Sequence, residues 1–150
     1  MLKNSTSRKK RIQVRRTGPI LAFVFLLLSA AFPGPAASAG TRLEIEGIDG
    51  GKAILNLASE PLRTMTPTPF HLMLIDAMGT PITGAEVRCD LTMPSMPMPE
   101  NRPAVREKDG FYWGEAVFTM AGAWQAAFQV AMPDGRLEIL IFDIERVLLK

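Results

Sequence analysis

The residues best suited to chemistry lie in Thr92-Met93-Pro94-Ser95-Met96-Pro97-Met98-Pro99. Thioethers are soft, uncharged donors that favour Cu(I), and three on one short segment could converge on a soft ion without burying charge. The interleaved prolines fix φ and remove backbone donors, so the segment can be neither helix nor central strand and is expected to be a stiff, extended loop. Met120, in Met120-Ala121-Gly122, is its expected neighbour and a fourth candidate ligand, and His71, the only histidine, is a fifth. Methionine is equally suited to filling irregular apolar gaps. Met93, Met96, Met98 and Met120 therefore have a second role open to them, a hydrophobic lid, and it takes precedence while no histidine lies near the loop. His71 shares a strand face with Met73 and Ile75, which gives it a structural role in competition with ligation.

No catalytic set emerges, and the chain is read as a non-enzyme with no identifiable small-molecule substrate. One histidine and one cysteine stand far apart in sequence, without a serine motif or a Gly-rich phosphate loop. Cys89 lies in the alternating run Ala85-Glu86-Val87-Arg88-Cys89-Asp90-Leu91, where Ala85, Val87, Cys89 and Leu91 share one face, so it is expected to be an inert packing residue.

Residues 1–39 carry the marks of an export signal. Seven basic and no acidic residues fall in Met1–Arg16; an apolar run from Ile20 to Phe32 follows, and Ala37-Ser38-Ala39 supplies small residues before Gly40. The run is shorter than the roughly 20 residues of a spanning helix, which favours a cleaved signal peptide over an N-terminal membrane anchor. Either way the domain, residues 40–150, is placed outside the cytoplasm, in the periplasm or secreted. Without the leader, ten Lys/Arg face fifteen Asp/Glu, a net charge of −5 that argues against a nucleic-acid surface.

The remaining length suffices for one core. Alternation and turn residues predict strands over Thr41–Glu46, Lys52–Ala58, Phe70–Asp76, Ala85–Leu91, Ala104–Lys108, Phe111–Thr119, Trp124–Ala131 and Arg136–Glu145. Pro61–Pro69 is expected to be loop, and Phe70–Asp76, apolar on both faces, a central strand. Asp109-Gly110 is a turn signal. The economical architecture is all-β, an immunoglobulin-like antiparallel sandwich of about seven strands. The spacing Gly110-Phe111-Tyr112 suggests a tyrosine corner, with the phenol bonding back to nearby backbone. Trp124 is expected in the core, and Trp113 either there or exposed to a partner.

Taken together, the segment from Asp76-Ala77-Met78-Gly79-Thr80-Pro81 to Ala85, the methionine loop, Gly110-Phe111-Tyr112 and Phe118-Thr119-Met120-Ala121-Gly122-Ala123-Trp124 resemble the YtkA-like domain family and its FixH-like relatives over roughly Pro67 to Ile144. The resemblance implies an exported or membrane-tethered immunoglobulin-like module, of a kind often connected with copper handling or respiratory oxidase assembly. Relatives often place a histidine shortly after the methionine loop, where this chain has Glu100-Asn101-Arg102. That departure disfavours a mixed Met/His site and Cu(II), which prefers nitrogen and oxygen donors.

Two functions follow as expectations. In the first, the loop binds Cu(I) or delivers copper to a respiratory oxidase, which requires at least three of Met93, Met96, Met98, Met120 and His71 to converge. In the second, a metal-free domain presents a stiff Pro/Met loop to a membrane, efflux or periplasmic protein partner, and the side chains diverge into core and solvent.

Overall fold

The computed structural model describes residues 40–150, so the signal-peptide, cleavage-site and membrane-anchor expectations lie outside the described residues. The described residues form eight strands: β1 (Thr41–Glu46), β2 (Lys52–Leu57), β3 (Thr68–Ile75), β4 (Glu86–Thr92), β5 (Val105–Lys108), β6 (Phe111–Ala116), β7 (Gly122–Ala131) and β8 (Leu137–Val147). A single 3-10 turn at Ile48–Gly50 joins β1 to β2, and no described helix is long and apolar enough to cross a membrane.

Two antiparallel sheets result, one with strand order β1-β2-β3-β6-β5 and one with order β4-β7-β8. Each sheet turns an apolar face inward because its strands alternate. Phe70, Leu72 and Leu74 of β3, Val87, Cys89 and Leu91 of β4, Trp124, Ala126, Phe128 and Val130 of β7, and Leu140, Phe142 and Ile144 of β8 all enter one buried cluster. Edge-to-face contacts of Phe128 with Phe70 across the sandwich and with Phe142 beside it lock the centre, at centroid distances of 5.7 and 5.8 Å. This is the expected immunoglobulin-like sandwich, with β3 at the middle of the larger sheet.

Three local expectations need correction. Pro69 does not interrupt pairing: β3 begins at Thr68, and Pro69 sits opposite Glu115 on β6. Its carbonyl accepts from Ala58 N–H at 2.8 Å, so its missing N–H falls at the end of the β2 ladder, just past Leu57, where only the terminal reciprocal bond is forgone. The strand predicted to Thr119 stops at Ala116, and Val117–Ala121 forms the connection to β7. Tyr112 is not a local corner. Its hydroxyl donates to Ile82 O at 3.1 Å and accepts from Ala85 N–H at 3.2 Å, both on the β3–β4 connection. The phenol thus ties β6 of one sheet to the entry of β4 in the other.

Candidate functional site

The methionine segment leaves β4 at one end of the sandwich. Inward positions of β4 fall on odd residues from Val87 to Leu91, and Met93 continues that alternation one step past the strand. It is accordingly buried, 6% exposed, and its methyl carbon would stand 3.1 Å from a Cβ added at Gly122. Pro94-Ser95 then turns the chain, with Met96 N–H donating to Met93 O at 3.3 Å, and carries the Met96 side chain outward to 44% exposure. Met98 swings back and packs, half-buried, against the core cluster.

The return of the loop is pinned by backbone and amide bonds rather than by charge. Leu91 N–H donates to Asn101 O at 2.8 Å, and Asn101 Nδ2 donates to Val117 O at 2.9 Å in the β6–β7 connection. Arg102 reaches Asp90 at 3.6 Å and Glu100 at 3.1 Å, but these pairs lie near solvent and contribute little.

Met120 lies on the β6–β7 connection, half-buried against the same core. Its carbonyl accepts from Trp124 Nε1 at 3.0 Å, and Trp124 meets Phe118 edge-on at 5.4 Å, so a buried indole fixes the backbone that carries Met120. Met93, Met96 and Met98 thus lie on the connection that leaves β4 and Met120 on the one that enters β7, and because Thr92 pairs with Gln125 both connections fall at the same end of the sandwich.

Met65, which sequence spacing does not connect to the methionine loop, belongs to the same end. Its N–H donates to Phe118 O at 2.8 Å, next to the Val117 carbonyl that holds Asn101. Met65 is exposed and adopts a positive φ of 53°. The available signal was its local motif, Thr64-Met65-Thr66-Pro67, which repeats the Thr-Met-then-proline pattern of Thr92-Met93-Pro94.

His71 is placed elsewhere. It points away from the core, between the buried Phe70 and Leu72, on the outer face of the larger sheet. Asn56 Nδ2 lies 3.0 Å from His71 Nε2; an amide nitrogen only donates, so Nε2 accepts and the neutral ring keeps its proton on Nδ1. Phe111 and Trp113 flank the ring at 5.4 and 4.7 Å. Burial lowers its pKa from the ordinary 6.5.

Cys89 is buried and its thiol is pushed up to about 12, first by desolvation and then by the neighbouring Asp90 carboxylate. It is the inert packing residue expected, since reactivity requires the thiolate. Among the described residues no three His, Cys, Asp or Glu side chains cluster as a metal site, which leaves the thioethers of Met96, Met98 and Met120 as the candidate donors at this end. Such a set fits a soft monovalent ion and not a divalent cation that wants oxygen or imidazole.

Fold and site together define an immunoglobulin-like β-sandwich module with a methionine-lined end. A YtkA-like family profile matches residues 49–129, more than half of the sequence, and the chain belongs to the YtkA-like family. Among solved structures, a DUF4426 family protein from Pseudomonas aeruginosa PAO1 is similar in fold, with a TM-score of 0.52 at 11% identity, over 69% of this chain and 93% of that one. No curated protein matches the sequence.

Proposed function

We propose that the protein is an extracytoplasmic binding module that holds Cu(I) at the methionine end of its sandwich and passes it to a membrane or periplasmic partner, a respiratory oxidase being the partner its family resemblance suggests. The observation that carries this reading is the placement of Met93, Met98 and Met120 on the two connections at the end of the sandwich where β4 leaves and β7 begins, with Met96 exposed there. Thioethers bind a soft ion without bringing charge into an apolar site. Met96, Met98 and Met120 are the ligands in this reading. Met93 is committed to packing against Gly122 and supports the loop from below. His71 is outside the site. Copper is cargo here, and the chain's own part is to hold soft donors on a prolyl-stiffened loop that solvent and a partner can reach.

A second reading has its own support. Met93 entering the core while Met96 enters solvent is the divergence expected of a metal-free loop that docks a protein, and exposed methionines make adaptable contact surfaces. X-ray absorption at the copper edge, on protein loaded with Cu(I) under anaerobic conditions, separates the two. A sulfur-only first shell supports the site. A nitrogen-containing shell, or no retained copper, favours the docking loop.

A further inference from the structure

The two sheets end in four edge strands, β1, β5, β4 and β8. Three carry charge along their exposed positions: Arg42, Glu44 and Glu46 on β1; Arg106, Glu107 and Lys108 on the short β5; Glu86 and Arg88 on β4. Outward charge and shortness are how sheet edges are kept from pairing with other chains. β8 has neither along its first half. It is the longest strand, running Leu137–Val147, and its outer face opens with Leu137, Ile139 and Ile141, which are 64%, 59% and 48% exposed. Their neighbours on β7 are Ala131, Gln129 and Ala127, short or polar residues that do not cover them.

The unprotected part of the edge is confined to this half. Further along β8, Asp143–Arg146 border a groove of about 430 Å³ whose opposite wall is Thr41 and Leu43 of β1, with Pro61 and Leu62 beside it. Leu137–Ile141 do not line that groove, and among the described residues their outward backbone groups have no partner strand.

We propose that β8 is a self-pairing edge, which joins two copies of this chain about a two-fold axis through Ile139. Antiparallel pairing in that register sets Ile139 against its own counterpart and Leu137 against Ile141 of the second copy, twice. The three apolar residues are thereby covered by the same three from the other copy. Charge agrees with the register: Asp143 faces Gly135, Glu138 faces Leu140 and Arg136 faces Phe142, so no like charges oppose. Arg136 is already held in its own chain by Asp49 and Asp134. An anionic lipid surface is a poorer occupant, because the outer face continues into Asp143 and Glu145 and residues 40–150 carry a net charge of −5. The two three-stranded sheets would become one of six strands. The paired segment is far smaller than the roughly 20–30 residues a side of a standard interface, so the dimer is weak and concentration-dependent.

Sedimentation of the purified protein over roughly 1–200 µM, the range that brackets an interface this small, is the test. The parent should pass from monomer toward dimer, and Ile139→Lys, which sets two cations together at the axis, should raise the dissociation constant at least about tenfold. Because Ile139 is exposed, that variant should keep the parent's unfolding midpoint at concentrations where the parent is monomeric. Ile139→Cys gives a second measurement: mild oxidation should produce a covalent dimer, whereas Gln129→Cys, one strand inward on the same face, should not. A parent that stays monomeric throughout, an Ile139→Lys variant that dimerises like the parent, or equal cross-linking at the two cysteine positions would each overturn the proposal. So would a monomer that binds neutral or anionic lipid vesicles through Leu137, Ile139 and Ile141, since the stripe would then have a different occupant.

Discussion

Met93 and Gly122 are fitted to one another: the Met93 methyl fills the space over Gly122 that any side chain there would need, 3.1 Å from where its Cβ would stand. Gly122 also has φ +129°, a conformation that L side chains rarely adopt. The fit places the last inward residue of the β4 register against the first residue of β7, and so sets where the methionine loop leaves the sandwich.

Gly122→Ala should therefore destabilise the fold by about 1–3 kcal/mol through backbone strain, with a further contribution from the Met93 contact. Denaturant unfolding of Gly122→Ala, Met93→Leu and the double variant separates the two. Shortening residue 93 should recover part of the loss in the double variant and leave the φ strain. Strict additivity would show that the Met93 contact contributes nothing.

Tyr112→Phe removes the bond to Ile82 O and leaves the buried Ala85 N–H without its acceptor. A loss of about 1–3 kcal/mol is expected, at the cost of an unsatisfied buried group rather than of an average hydrogen bond. The denaturation midpoint reads it directly, and an unchanged midpoint would contradict the bridging role.

His71 gives stability a dependence on pH. Its folded pKa lies below the ordinary 6.5 because burial disfavours the imidazolium, and protonation also removes the acceptor that Asn56 uses. Just below pH 6.5 the unfolded chain binds the proton and the folded chain resists it, so unfolding takes up a proton and stability falls as pH drops through that window. Thermal midpoints at about pH 7.5 and 5.5 should differ more in the parent than in His71→Gln. An equal difference in both would assign the dependence to other groups.

Much of this architecture was legible because strand alternation is a direct physical consequence of packing one face. Ala85, Val87, Cys89 and Leu91, and Trp124, Ala126, Phe128 and Val130, point inward as their spacing requires. Asp109 and Gly110 take the positive φ values of 54° and 78° that a tight hairpin turn demands. What the sequence hid depends on groups far apart in the chain. The partners of the Tyr112 hydroxyl lie on another connection, and Pro69 is tolerated in β3 because its missing N–H falls at the last rung of the β2 ladder. The site was legible in the same measure. Met93 follows the β4 alternation, so its burial can be read from residues 85–91. The directions of Met96 and Met98 cannot, because a prolyl turn breaks the period, and Met65 joins only through its bond to Phe118.

The central claim is that soft donors at the methionine end hold copper. Anaerobic Cu(I) titration against a competing chelator, run on the parent, on a variant with Met96, Met98 and Met120 all changed to leucine, and on His71→Ala, tests it. Each leucine keeps approximate volume at a cost usually under about 1.5 kcal/mol, so the triple variant should remain folded, as circular dichroism would register. The parent and His71→Ala should compete for Cu(I) equally, and the triple variant should not. Failure of the parent to compete, or equal competition by the parent and the triple variant, would contradict it.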